Sequence, residues 1–386
     1  MSGLVVALRT WLVRIGFAAG RIGPARRRVL LATAHADRLG GNLAFIHAEL
    51  RRAHAGVEVV VLAHRARGGW SGRLAGVGHA LRAGYHLARA RVVIVDDYYF
   101  ALYVVTPRPG TTVIQTWHAS GAFKRIGRSV QDRSFGADDA LTSRVRIHAN
   151  YDVCLVGSQA ATPHYAEAFG QPADRFVSRL GIPRTDLFFD APAIERASAA
   201  IRRRYDLPAD RRVILYAPTF RGDRVTDARH REDLDLPALR DALGDDHILL
   251  VRLHPFVRAR TAIGPELAGF AFDVSDHPDI NELMLISDIL VTDYSSAIFE
   301  FSLLERPMVF FAPDHDDYER ERGFYFDFRS GVPGPVVETT AELAAAIRSG
   351  RFDLDRVRAF RAASFEVADG RATRRVVEEL VLPALG

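Results

Sequence analysis

Asp288-Ile289-Leu290-Val291-Thr292-Asp293-Tyr294-Ser295-Ser296-Ala297-Ile298-Phe299-Glu300 reads as one strand turning into one helix. Ile289 to Val291 is apolar throughout, as a strand buried on both faces must be. Small hydroxyl residues follow, and Ser295 or Ser296 is placed to cap a helix over Ala297 to Leu304. The free backbone N–H groups of a helix start, flanked by hydroxyls, attract an anion such as a phosphate. Read alone, the same residues also describe a well-capped helix with no ligand.

The same unit recurs along the chain. Val213 to Tyr216, His247 to Val251 and Met308 to Phe311 are further short apolar runs, with helical stretches at Ile194 to Tyr205, Asn281 to Ser287 and Ala341 to Ile347. Upstream, Val29 to Ala32, Val57 to Leu62, Val92 to Val95, Val113 to Thr116 and Val153 to Val156 form a matching series, with helices at Leu43 to Arg52 and Leu74 to Ala90. Apolar strands alternating with helices predict parallel, doubly wound α/β sheets. The pattern pauses at Gly181-Ile182-Pro183-Arg184. The expected organisation is an N-terminal segment over 1–27, a first Rossmann-like domain over 28–190, a second over 191–369, and a C-terminal helix within 370–386 that could join either domain. A length of 386 residues suits two such domains. Ligands in these sheets sit beyond the carboxyl ends of the strands, so two facing domains would enclose a cleft.

The N-terminal segment has a different character. At 100° per residue, Leu4, Leu8, Trp11, Leu12, Ile15, Ala19 and Ile22 share one helix face, with Arg14 and Arg21 opposite and Arg9 at the flank. Arg26-Arg27-Arg28 follows. No uncharged run reaches the roughly 20 residues of a spanning helix. The pattern fits a helix lying in a membrane interface, with Leu4, Leu8, Trp11, Leu12 and Ile15 in the acyl boundary and arginines toward an anionic membrane surface. A helix packed on the protein's own core is the alternative. The interrupted apolar region and the lack of a small-residue cleavage site argue against a cleaved signal peptide.

Composition narrows the function classes. Hydrophobic residues make up 48% and charged residues 25%, the balance of a globular protein. The net charge is +4, carried by an arginine excess, so the partner is anionic: nucleic acid, lipid or a phosphorylated substrate. No helix-turn-helix, zinc-ligand or RNA-recognition pattern appears, which disfavours nucleic acid. The single cysteine, Cys154, lies between Val153 and Leu155 and reads as core packing in a reducing compartment. Neither GxGxxG nor a Walker A loop is present, which disfavours a dinucleotide dehydrogenase and a P-loop kinase.

Three further segments at strand exits carry chemistry. Gln115-Thr116-Trp117-His118-Ala119-Ser120-Gly121 places His118 where a proton can be taken near neutral pH, with Lys124 and Arg125 behind it to hold an anion. Tyr216-Ala217-Pro218-Thr219-Phe220-Arg221-Gly222 is a loop in which Thr219 and Arg221 could meet a phosphate. Arg252-Leu253-His254-Pro255 sets a histidine and an arginine two residues apart, with Pro255 biasing His254 away from helix. Each also has a plain structural reading as a turn.

Taken together and in order, these segments resemble the CDP-glycerol:poly(glycerophosphate) glycerophosphotransferase family, the teichoic acid primases and polymerases. The likeness rests on Trp117-His118, Tyr216 to Arg221, Arg252 to Pro255 and Thr292 to Ser296. It extends to Gly181-Ile182-Pro183-Arg184-Thr185-Asp186, Arg306-Pro307, Asp314, Tyr318, Arg322-Gly323-Phe324 and Asp327. It covers roughly residues 28 to 370. The chain departs from the family at Ala119, where glycine is common, and at Glu300, where aspartate is frequent.

The resemblance implies a GT-B architecture, peripheral attachment at the cytoplasmic face of the membrane, and no required metal or cofactor. It implies transfer of a glycerol-phosphate or related polyol-phosphate unit from CDP-glycerol or another CDP-polyol to a lipid-linked anionic acceptor, releasing CMP. On that basis His118 and His254 are expected to be catalytic. Thr219, Arg221, Arg252, Thr292, Asp293, Ser295, Ser296 and Glu300 are expected at the donor, with Glu300 toward the ribose, and Lys124 and Arg125 at the acceptor. Two rival readings share the fold: a glycosyltransferase using a nucleotide sugar, and a non-catalytic membrane-associated binding protein. The lack of a long extra domain is expected of a short-product enzyme or one serving a capsule polymer.

Overall fold

The computed structural model describes residues 3–67, 69–130, 145–222, 229–231, 233–254, 257 and 263–386, so Pro255 lies outside the described residues. The predicted apolar runs form strands in two sheets. The first has the order β2-β1-β3-β4-β5-β6, from β1 (Arg26–Thr33), β2 (Glu58–Ala63), β3 (Ala90–Val95), β4 (Thr112–Gln115), β5 (Val153–Leu155) and β6 (Phe176–Val177). The second has the order β12-β11-β10-β7-β8-β9, from β7 (Arg212–Tyr216), β8 (His247–Val251), β9 (Ala271–Asp273), β10 (Ile289–Thr292), β11 (Met308–Phe311) and β12 (Val336–Val337). Every pairing within them is parallel.

The continuous apolar strands follow from this layering. Leu30 and Val93 enter one core while Val29, Leu31 and Ile94 enter the core on the opposite face. Leu215 and Leu290 divide from Ile214, Ile289 and Val291 in the same way in the second sheet. Helices cover both faces, so neither side of a strand can be polar. In each sheet the winding reverses once, between β1 and β3 and between β7 and β10. Those reversals are where such sheets open a crevice for a ligand.

Two helices, α1 (Gly3–Arg21) and α3 (Gly69–Arg89), pack against each other at very short range. A Cβ built at Gly16 would lie 2.0 Å from the Leu81 carbonyl oxygen, and one at Gly84 2.0 Å from that of Val13. Glycine at both contacts lets the backbones touch. This sharpens the expectation for the N-terminus. Val6, Val13 and Phe17 are buried in the first-domain core, whereas Leu4, Leu8, Trp11 and Ile15 stay exposed. The helix therefore has two apolar faces, one packed on protein and one open. Leu12, expected with the open row, is partly buried against the core. Arg28, expected with the basic cluster, turns inward to pair with Glu58 beside His86. By length and composition Gly3–Arg21 could also cross a membrane.

The chain passes from the first sheet toward the second through Pro183–Phe189, and beyond β12 it runs through the helix Leu354–Ser364. The final helical stretch, residues 372–385, returns to the first sheet, where Val376, Val377, Val381 and Leu385 pack with Val29, Leu31 and Ile94. Asp186 caps its start, accepting from the Ala372 and Thr373 N–H groups at 2.9 and 2.8 Å. A further seam joins the domains: Lys124 forms an antiparallel bridge with Phe324, and the Tyr325 N–H donates to the Phe123 carbonyl at 3.1 Å. Phe123, on the first-domain side, is buried against Phe299, Phe324, Phe326 and Phe328 of the second.

Candidate active site

β4 delivers His118 into the space between the domains. Trp117, just before it, is buried and adopts a left-handed backbone, φ 52°. A bulky residue there costs of order 1–3 kcal/mol and persists only where its surroundings fix it. Here Gln115 accepts the Trp117 N–H at 2.8 Å, and the indole packs on Phe169 and Tyr98. The His118 ring lies over the indole, centroids 4.4 Å apart, with half its side chain open to the cleft.

Asp97 was not anticipated. It follows β3, one of the two strands at the first-sheet reversal, and its carboxylate lies 3.5 Å from His118 Nδ1 and 3.4 Å from His35 Nδ1. His35 follows β1, the other strand of that reversal, and also faces Asp96 at 3.8 Å. Enclosure in the cleft lowers the His118 pKa; Asp97 opposes this, while Arg184, His35 and Lys124 reinforce it. His118 is therefore neutral at physiological pH. With Nδ1 toward Asp97, its Nε2 is left to accept a proton.

The opposite wall carries His254, at the exit of β8. Burial, then the charges of Lys124, Arg252, His118 and Arg322, push its pKa down to about 4. His118 is thus among the charges that act on His254. Lys124 and Arg125 separate, because successive residues of an extended segment point to opposite sides. Lys124 Nζ lies 5.9 Å from the centre of the Tyr318 ring, and its charge acts on both histidines. Arg125, expected at the acceptor, donates through Nε to the Phe324 carbonyl at 3.2 Å and lies over the Tyr325 ring at the seam.

Several residues expected at the donor are engaged with protein groups. Thr292 Oγ1 donates to the Ala217 carbonyl at 2.7 Å, and its side chain is fully buried. Asp293 accepts from the N–H and hydroxyl of Thr219 at 2.8 and 2.9 Å. Arg221 bridges Asp293 at 3.0 Å and Asp314 at 2.7 Å. Tyr294 adds its hydroxyl to Asp314 at 2.9 Å. One guanidinium thus faces two carboxylates across the β7/β10 reversal, with Arg231 3.6 Å from Asp314 as the second cation, and the group braces the two loops. Glu300, expected at a ribose, is buried and takes Arg184 and the Ser120 hydroxyl on one carboxylate oxygen. Ser295 and Ser296 remain half-exposed at the same reversal; Ser295 Oγ accepts the Ala297 N–H at 3.2 Å, whereas Ser296 makes no side-chain cap bond. Arg252 follows β8 and donates to the Leu253 carbonyl at 3.0 Å.

Two doubly wound domains, with His118 and His254 each at a strand exit and cationic side chains acting on both, suit an anionic ligand. A family model described as CDP-Glycerol:Poly(glycerophosphate) glycerophosphotransferase matches residues 19–382. The chain belongs to that family. It is 38% identical over 353 residues to the teichoic acid ribitol-phosphate primase of Bacillus spizizenii, covering 91% of this chain and 90% of that protein. It is 37% identical over 272 residues to the teichoic acid poly(glycerol phosphate) polymerase of Bacillus subtilis, covering 68% of this chain but 35% of that protein. The solved wall teichoic acid polymerase TagF shares the fold, with a TM-score of 0.77 at 22% identity over 99% of this chain and 95% or more of that one. The chain is accordingly an enzyme of the glycerophosphotransferase type, transferring a polyol-phosphate unit from a CDP-activated donor in teichoic-acid-type polymer synthesis.

Proposed function

We propose that this enzyme has a GT-B arrangement in which His118 is the general base and the second domain holds the CDP-linked diphosphate. The reading rests on His118 at a strand exit with Asp97 3.5 Å from its Nδ1, and on the charge of Lys124 acting on both His118 and His254. His118 Nε2 takes the proton of an acceptor hydroxyl. That oxygen forms a bond to the donor's β-phosphorus as the bond from phosphorus to the CMP oxygen breaks, and CMP leaves with its electron pair. Ser295, Ser296, Arg252 and His254 hold the diphosphate and the charge that grows on CMP. The Thr219–Arg221–Asp293 network and Thr292 keep the two loops in place, and Lys124 meets the anionic acceptor. Phosphoryl-type transfer depends chiefly on positioning and charge stabilisation, which suits a site with many cations and no strong nucleophile. CDPG was soaked into a variant of TagF, which supports a CDP-linked donor here.

The acceptor is lipid-linked and the enzyme lies on the cytoplasmic face of the membrane. Leu4, Leu8, Trp11 and Ile15 on α1 and Trp70 and Leu74 on α3 are exposed on paired helices, with Trp70 80% and Leu74 71% accessible. Exposed Arg21, Arg26, Arg27, Arg73 and Arg82 belong to the same region. An apolar face with a basic border is what an anionic bilayer surface would cover. The buried, unpaired Cys154 agrees with a reducing compartment.

A panel of CDP-glycerol, CDP-ribitol and UDP- and GDP-sugars, assayed for nucleotide release with a lipid-linked acceptor, tests the reading. CMP release from a CDP-polyol, lowered about 10²–10⁴-fold by His118→Ala with donor affinity retained, is the expected result. Turnover of a nucleotide sugar alone would install the glycosyltransferase, and no nucleotide release from any donor would install the binding protein.

A further inference from the structure

The loop that carries His118 is held from outside its own strand. Asn42, near the start of α2 (Gly41–Ala53), donates through Nδ2 to the carbonyls of Thr116 and Trp117 at 3.1 and 2.9 Å. Arg184 donates through Nη1 to the carbonyl of His118 at 2.7 Å. Asn42 Oδ1 in turn accepts the Arg184 backbone N–H at 3.0 Å. The two residues thus clamp three consecutive peptide oxygens, including that of the strained Trp117. The guanidinium has a second arm, and this one leaves the first domain. Nη2 pairs with Glu300 in the helix Ala297–Ser302, and Ser120 Oγ donates to the same carboxylate oxygen. Asn42 and Glu300 are almost fully buried, so water does not compete for these bonds. A planar, forked cation held at both ends carries position from one end to the other. Glu300 lies about one turn beyond Ser295 and Ser296.

We propose that Arg184 and Glu300 form a coupling strut between donor and base: a donor seated at Ser295 and Ser296 sets the helix that bears Glu300, and that helix sets the His118 loop through the guanidinium. The inference rests on the donor site proposed above. Both are positioning residues. They touch neither the transferred group nor CMP, and they act by fixing where His118 stands when the donor is bound.

The test uses the full-length enzyme with CDP-glycerol and CDP-ribitol. Glu300→Gln keeps the shape and removes the charge; Arg184→Lys removes the second arm. Donor affinity is read by calorimetry, CMP release by single turnover, and folding by thermal melting. The strut requires a single-turnover rate lowered about 10- to 100-fold with donor affinity changed less than about twofold. In a His118→Asn background the base is already missing, so Glu300→Gln should lower the remaining rate less than about twofold. Losses that multiply equally in both backgrounds overturn the strut. So does a loss of donor affinity with unchanged turnover, which would make Glu300 a donor ligand. Should Glu300→Gln melt too low to assay, Ser120→Ala tests the same carboxylate and must show a smaller rate loss that also vanishes in the His118→Asn background. Ser295→Ala with Ser296→Ala judges the donor site separately. Unchanged affinity there refutes that site and the donor's part in the strut, while non-additivity would still tie Glu300 to His118.

Discussion

Replacing Asp97 by asparagine isolates what the carboxylate does for His118. The two groups are 3.5 Å apart. Unit charges at that distance attract by about 1.2 kcal/mol in water and about 4.7 kcal/mol at an effective dielectric of 20. His118 has half its side chain exposed, so screening holds the value toward the lower end. About 1.4 kcal/mol corresponds to one pKa unit. The sign is set by which form the carboxylate favours. Asp97 stabilises the imidazolium, so its removal lowers a pKa that burial has already depressed. The acid limb of the rate profile should therefore move about one unit toward lower pH in Asp97→Asn. The plateau rate should fall about 10- to 100-fold, because the base is weaker and its tautomer is no longer fixed. The assay is CMP release under saturating donor across the pH range, with donor affinity measured alongside. An acid limb that stays in place, or moves to higher pH, would refute the base assignment or Asp97's link to it.

Phe123→Ala should cost about 3–5 kcal/mol, since a ring buried among four phenylalanines is lost, and urea unfolding would register it; a change below about 1 kcal/mol would mean the seam does not depend on the ring. For His254, held at about 4 by burial and neighbouring cations, an arriving diphosphate raises the pKa. Donor affinity should then strengthen as pH falls through the raised value and level off below about 4, with proton uptake visible by calorimetry in buffers of different ionisation heat. A flat affinity over that range takes His254 out of the diphosphate site. Leu8→Glu with Trp11→Glu should weaken sedimentation with anionic vesicles at least tenfold, more at low salt, while thermal stability holds because both side chains are exposed; unchanged vesicle binding would remove α1 from the membrane.

Periodicity found the longer strands but missed the helices Thr162–Phe169, Leu236–Leu243 and Leu354–Ser364. The strands around Leu30, Val93, Leu215 and Leu290 are buried on both faces and left continuous apolar runs. β6, β9 and β12, of two or three residues each, went unseen, whereas β5, also of three, showed in the apolar run Val153 to Val156. The strand-exit rule located His118 and His254 because both stand directly after apolar runs. The same rule applied to Val92–Val95 would have found Asp96 and Asp97; a pair of acids carried no motif to draw attention to it. Polar satisfaction was the larger blind spot. Arg221 beside a phosphate and Arg221 between two aspartates look alike in one dimension, and only the contact of the β7 and β10 loops distinguishes them. Glu300 and Arg184 lie far apart in the chain, so their pairing could not be read from spacing. Leu12 and Arg28 were misplaced for a related reason: α1 packs on α3, and a helical wheel does not show which partner a face will meet.

The return of residues 372–385 to the first sheet has a consequence for biogenesis. The second domain is one uninterrupted stretch and can close as soon as it leaves the ribosome. The first cannot: one face of β1 and β3, with Val29, Leu31 and Ile94, waits for Val376, Val381 and Leu385, which are made only after the second domain. The domain begun first is therefore closed only once the second has been made. Until then a nascent chain carries an open apolar face, and a lesion within residues 372–385 would be felt in the domain that bears His118.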